Sequence, residues 1–173
     1  MGAASAQSIL VINEDTILTQ SQVGQHIARQ LESIGREIQT ELEQAAAPIN
    51  QENEALQAET SALSQDAIQQ RPDLIQRIQQ LQVNAQQLDR LRRLRQQELV
   101  ATERQALQPV VQTLQTVLQE IVTERSATII LEESQVVYAA ESVNVTQQVV
   151  ERLNQRIQTT PVTRVRAPQE GGQ

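Results

Sequence analysis

Few residues in this chain have the types and spacing that chemistry requires. Glu132 and Glu133 stand side by side, as an acid–base pair of carboxylates would. They also fall between two apolar runs, where a solvated turn is expected. The turn is the preferred reading, because catalysis needs a concave site and nothing in the sequence builds one. His26 is the single histidine, and there is no cysteine. That removes thiolate metal sites, cysteine nucleophiles and disulfides, and most triad chemistry. A pH-sensing role for His26 is conceivable; an ordinary helix-surface or interface histidine is preferred. Arg90, Arg92, Arg93 and Arg95 form the one basic cluster, interleaved with Leu88, Leu91 and Leu94. They are candidate contacts for the carboxylates of a bound chain or for anionic lipid head groups. The alternative, which is preferred, is that they pair with Glu52, Glu54 and Glu59 of a neighbouring helix. Arg71 and Arg77 are expected to stay free to meet a partner. Asn144-Val145-Thr146 fits a glycosylation sequon but reads better as a helix cap. No cofactor is called for.

The composition says which elements must carry these residues. The chain has 173 residues with a formal net charge of −7, no Phe, Trp or Cys, and a single Tyr. It holds 32 Gln, and all 14 of its basic residues are Arg. A compact core draws much of its burial from aromatic rings. Here Leu, Ile, Val and Ala must be buried along extended seams or against copies of the same chain. Gln, Glu, Leu, Ala and Arg together favour long helices. No run approaches the ~20 apolar residues that span a bilayer. Nucleic-acid binding is disfavoured, since the negative charge opposes phosphate and no aromatic platform exists for stacking.

Ser8 to Asn13 is a short continuous apolar run of the kind that forms a buried strand. Thr128–Leu131 and Val136–Ala139 are similar, and residues 132–135 between them suit a hairpin connection, so these two strands are expected to pair antiparallel. Tyr138 is expected in the core with its hydroxyl reaching the surface. Between the first strand and this pair, Gly is rare and the period is helical. The first stripe runs Val23, Ile27, Leu31, Ile34, Ile38, Leu42, Ala45, Ile49, Asn53, Leu56, Thr60, Leu63, Ala67. Its steps of 4, 4 and 3 give a register of about 3.67 residues per turn, which holds one face nearly straight. Apolar residues thin out beyond residue 50, so packing should loosen there. A second stripe follows through Leu74, Ile78, Leu81, Ala85, Leu88, Leu91, Leu99, Leu107, Val110, Leu114, Val117 and Ile121.

Pro72 breaks the pattern and places a reversal at 69–73. Two helices of similar length meeting at a short turn form an antiparallel hairpin. Charge supports the pairing, with residues 21–70 at net −6 and 71–126 at net +2. Reflection through Pro72 sets Pro109 opposite Gly35, two weak points that predict a bend, with a second kink at Pro48. Gly35, Pro48 and Pro109 are therefore the candidate hinges. A final helix starts at Asn144 and carries Val149, Val150, Leu153 and Ile157 on one face.

The resulting fold class is mainly α with a small β head, and a long helical hairpin inserted between strand 1 and strands 2–3. Residues 8–20 and 127–158 form the body and 21–126 the arm. Residues 1–7 and 159–173 lack periodicity and are expected to be disordered. The body supplies about 15 apolar side chains at roughly 1.5–3 kcal/mol each, which barely offsets the ordering of its backbone at ~1–2 kcal/mol per residue. Sister copies must complete it, with Ile9, Val11, Ile129, Leu131 and Val137 expected in an intersubunit core.

Three blocks occur in a telling order. They are an Ile-Leu-Val-Ile-Asn start running into a Gln-rich helix, a helical hairpin, and a Thr-Ile-Ile-Leu, Val-Val-Tyr-Ala, Asn-Val-Thr, Val-Val-Glu-Arg-Leu-Asn ending. This order resembles the Skp (OmpH-like) periplasmic chaperones over about residues 8–157. The resemblance implies a homotrimer with a β-barrel-like body and three helical arms around a cavity, binding unfolded outer-membrane proteins without ATP or any cofactor. It also implies the periplasm of a Gram-negative bacterium. Ala4-Ser5-Ala6 has the small-x-small pattern of a signal-peptide cleavage neighbourhood, consistent with a removed signal peptide. The best-known members are basic and Lys-rich; this chain is acidic and uses only Arg. The expected function is an ATP-independent, non-enzymatic holdase, with an anionic lipid surface as a further candidate partner. The alternative is a coiled-coil tether or adaptor hairpin with one defined partner.

Overall fold

The computed structural model describes residues 8–167. The expectations for residues 1–7 and 168–173 lie outside that range. In chain order the elements are β1 (Ser8–Ile12), α1 (Glu14–Gln20), α2 (Gln22–Thr60), α3 (Gln65–Gln69), α4 (Pro72–Arg125), β2 (Ala127–Glu132) and α5 (Thr146–Arg156). Two single turns of 3₁₀ helix, Glu133–Gln135 and Glu141–Val143, lie between β2 and α5. The chain divides into two compact units. Of the described residues, the body unit holds 8–32 and 102–163, and the hairpin unit holds 33–101 and 164–167.

In the body unit, β1 and β2 pair in parallel, with Ile9 beside Ile129 and Val11 beside Leu131. A parallel pair needs a long crossover, and the two long helices supply it. The predicted third strand is absent. After β2 the chain turns through 3₁₀ geometry, and it reaches β1 again only at Asn144, where the Val145 amide donates to the Val11 carbonyl at 2.9 Å. That contact occupies the second edge of β1, while residues 136–139 take no strand pairing and leave the outer edge of β2 open. The expected β2–β3 hairpin is therefore not formed.

Asn13 turns β1 into α1 by accepting the Thr16 amide at 2.8 Å, and its own amide is held by Thr146 Oγ1 at 3.0 Å. Ser21, fully buried, then separates α1 from α2. Its hydroxyl donates to the Leu18 carbonyl and accepts the Gly24 amide, both at 3.2 Å. At Gly24 a Cβ would lie 1.6 Å from the Leu18 carbonyl oxygen, so only glycine fits this close approach. Ser126, with φ of 51°, ends α4 in the left-handed region where such endings commonly fall.

One apolar cluster fills the body unit, built from Leu10 and Ile12 of β1, Ile17 of α1, Val23 and Ile27 of α2, Val110, Val117 and Ile121 of α4, and Val149 and Leu153 of α5. The body's apolar complement is thus larger than the sequence reading counted. That reading assigned the near ends of the long helices to the arm, whereas their first and last turns are core. α5 is tied to α4 by Arg156–Glu120 at 2.6 Å and Arg152–Glu124 at 2.8 Å. Asn144 accepts the Thr146 amide at 3.0 Å, one position ahead of the helix's capping residue Val145.

In the hairpin unit, the stripe from Ile34 to Ile49 is inward or half-buried as the period requires, and Leu56 is buried, whereas Asn53 faces solvent. α2 stops at Thr60, short of the predicted reversal; there Thr60 and Ser61 turn their hydroxyls back onto the Leu56 and Ala58 carbonyls, and Ser64 caps α3. The reversal therefore spans 61–71, with Pro72 as the first residue of α4, a position that suits a residue lacking an amide hydrogen. Pairs across the helices, such as Arg77 with Glu52, are centred on that span and not on Pro72. The register argument that set Pro109 level with Gly35 falls with it. Helix continues through both Pro48 and Pro109, and a Cβ at Gly35 would meet open space.

Candidate functional site

The body unit leaves apolar groups on its surface. Ile9 and Ile129 are exposed neighbours on one face of the strand pair, while Val137 and Tyr138 stand out at 107% and 83% exposure. Tyr138 is thus a surface residue and not the core residue expected, since the strand that would have buried it does not form. Of the five predicted intersubunit residues, Val11 is buried within its own chain and Leu131 is half-buried; Ile9, Ile129 and Val137 face outward. A two-stranded sheet with exposed apolar side chains is an incomplete structural unit.

The adjacent carboxylates have structural partners. Glu132 accepts the Glu14 amide at 3.3 Å. Glu133 accepts the side-chain amides of Asn13 at 2.8 Å and Asn144 at 3.5 Å. They fasten the turn after β2 to the start of α1. His26 is half-buried, with Nε2 3.1 Å from the Thr160 carbonyl. Among the described residues no group of three His, Cys, Asp or Glu could hold a metal ion, and no helix is long and apolar enough to cross a membrane.

The arginines of the hairpin unit do not follow the expected division. Arg71 was expected free, yet it contacts Asp73 at 2.6 Å and Glu59 at 3.1 Å. Arg77, likewise expected free, bridges Glu52 and Glu59, each at 2.7 Å. Both settle on α2 carboxylates that the earlier reversal brings into reach. Hydrogen bonding to Asp73 and Glu59 raises the Arg71 pKa, and its guanidinium holds Asp73 at about 2. Arg92 pairs with Asp89 along its own helix at 3.2 Å. Arg90 and Arg93 are exposed and make no ion pair among the described residues. None of the four clustered arginines meets Glu52, Glu54 or Glu59.

Arg95 joins a network that sequence reasoning missed. Its Nη1 donates to Glu98 Oε1 at 2.9 Å, and its Nε lies 3.0 Å from Glu41 Oε2, out of line for a hydrogen bond. Arg164 closes the network. Its Nη1 and Nη2 donate to the two Glu41 oxygens at 2.6 and 3.0 Å, and its Nε and Nη2 donate to Glu98 Oε2 at 3.1 and 2.9 Å. The Ala167 amide adds a contact to Glu98 Oε1 at 3.1 Å. The side chains of Glu98 and Arg164 are only 2% and 9% exposed. Hydrogen bonding from Arg164 is the main cause that lowers the Glu41 pKa. For Glu98, burial pushes upward, but the Arg164 and Ala167 hydrogen bonds and the charges of Arg95 and Arg164 leave it below the ordinary glutamate range. The expected disorder after residue 158 is therefore corrected for 159–167: Thr160 is buried, Val162 packs on the body core and Arg164 is clamped. A signal was present in the sequence. The second stripe skips from Leu91 to Leu99, and Glu98 fills an inward position in that gap.

The chain matches the family described as outer membrane protein (OmpH-like) over residues 8–153. It belongs to the OmpH-like family. A crystal structure of an OmpH-like protein from Caulobacter crescentus CB15, described as a candidate outer membrane chaperone, is 28% identical. The match has a TM-score of 0.73 and covers 98% of this chain and 97% of that one. No curated protein matches significantly. The family resemblance read from the sequence is thereby established, and with it, at a coarse level, a chaperone role related to outer membrane proteins. OmpH-like proteins are typically periplasmic and generally non-enzymatic.

Proposed function

We propose that this OmpH-like chain is an ATP-independent periplasmic holdase that binds unfolded outer-membrane proteins and prevents their aggregation. In this reading it works as a homotrimer whose bodies share a β-barrel-like core and whose helical arms enclose the client. The observation that carries the assembly is the outward-facing set Ile9, Ile129, Val137 and Tyr138 on a body whose own core is already closed. Apolar groups that one chain cannot cover are covered by another. Client binding is supported by the hairpin unit. Its surface is rich in Gln and sparse in apolar groups, suited to many weak contacts with a partner of no fixed shape. Arg90 and Arg93, which are exposed and make no ion pair among the described residues, are the arginines best placed to meet a client carboxylate or an anionic lipid.

Light scattering with and without an unfolded outer-membrane protein tests the proposal. Three chains alone and one client bound to three chains are expected, and Ile129→Arg should release monomers that keep their helicity. A wild-type monomer indifferent to the client would sink it. So would full aggregation suppression by a variant lacking residues 40–95.

A further inference from the structure

We infer that the place where Arg164 to Ala167 sit on the hairpin unit is a binding site for an extended, arginine-bearing chain segment, which the protein's own tail occupies as a resident competitor. The inference rests on the client-binding reading and names the chemistry of one site within it.

The contacts read out a short segment as a peptide-binding site would. The guanidinium is gripped from two sides by forked hydrogen bonds to Glu41 on α2 and Glu98 on α4. Three residues on, the main chain is recognised through the Ala167 amide, which donates to the second Glu98 oxygen. Segment 158–167 has no helix or strand of its own. The guanidinium and main-chain contacts that hold it at this place are ones another extended, arginine-bearing chain could also make. Beside the tail runs a cleft of about 420 Å³, walled by Leu91 and Leu94 of α4 on one side and by Arg166 and Ala167 of the tail itself on the other.

The charge balance gives the same answer. With the tail removed, and Arg164 and Arg166 with it, the site keeps two carboxylates, Glu41 and Glu98, against Arg95. One of those carboxylates lies almost wholly out of water, where uncompensated negative charge is costly. A vacated site calls for one further cation. A tethered ligand acts at an effective concentration on the order of millimolar. A free peptide is therefore excluded from the intact chain, whereas a client offering several arginine-bearing stretches can displace the tail.

The test uses an N-terminally fluorescein-labelled, C-terminally amidated peptide of sequence Pro-Val-Thr-Arg-Val-Arg-Ala, corresponding to residues 161–167, followed by anisotropy. A chain ending at Thr163 keeps Thr160 and Val162 and should bind this peptide saturably. The full chain should bind it at least tenfold more weakly. Replacing the arginine equivalent to Arg164 by alanine should weaken binding on the order of tenfold, as expected for lost charge-assisted contacts. Absence of binding to a truncated chain of unchanged helicity, or equal binding of the alanine peptide, would overturn the inference. If the truncated chain fails to fold, the full-length chain carrying both Arg164→Ala and Arg166→Ala should bind the peptide instead, and absence of binding there overturns it equally. Aggregation suppression that persists without peptide binding would remove this site while leaving the holdase reading intact.

Discussion

The body unit is held by methyl groups and the hairpin unit largely by charge. In the body, β1, α1, α5 and turns of both long helices converge on one cluster whose members Ile17, Val117, Ile121 and Leu153 are fully buried. In the hairpin unit, Ile34, Ile38, Leu56, Leu74 and Leu88 are the buried apolar side chains among the described residues; ion pairs at 41/95, 52/77 and 59/77 span the two helices between them, and 59/71 ties α2 to the reversal. The difference teaches where stability resides. Burial of apolar area is not screened by salt and is intolerant of lost volume. Exposed ion pairs are screened and individually weak.

The contrast breaks most visibly at Leu153. Leu153→Ala should cost about 2–5 kcal/mol, because the side chain is fully buried in the body cluster and its loss leaves a cavity there. Chemical denaturation followed by circular dichroism measures it, and a loss no larger than at an exposed valine such as Val83 would refute the picture. Next comes Gly24→Ala, which puts a Cβ onto the backbone carbonyl of Leu18 and should cost about 1–3 kcal/mol through forced displacement of the α1–α2 junction. Gly35→Ala, in open space, is the matched control and should stabilise slightly through helix propensity.

A smaller effect distinguishes the buried part of the charged seam. Glu41 and Glu98 have folded-state pKa values below their ordinary range. Their contribution is therefore fully present above that range and is lost as pH falls through the depressed values. The Ala167 amide, followed by NMR, should keep its bonded signal at neutral and mildly acidic pH. It should lose that signal only below the usual glutamate value of about 4.3. Loss near neutrality would contradict the assignment. The smallest effect is expected at the tip. Arg71→Ala removes contacts to Asp73 and Glu59 that are open to solvent, and the unfolding midpoint should not move measurably at physiological salt. A clear shift would show that tip charges hold the reversal together.

The helical stripe was legible over Val23 to Ile49 because spacing alone decides which face of a helix is apolar. The site was much less legible. Arg71 and Arg77 looked free because a reversal centred on Pro72 misaligns them with Glu52 and Glu59; the serine and threonine turns that end α2 at Thr60 carry a weaker signal than proline. Gly24 is indistinguishable in sequence from Gly35, since only the path of α1 brings a carbonyl against it.

By itself the sequence determined the family, the long helices, the first strand and the α5 face, all of which follow from local order and periodicity. Tertiary structure alone decided the rest. The parallel pairing of β1 and β2, the use of helix turns as body core and the Arg164 clamp each join residues about 66 to 133 positions apart. Period and propensity act over a few turns of chain. Which distant edge, carbonyl or carboxylate lies within reach is settled only when the whole path has been laid down.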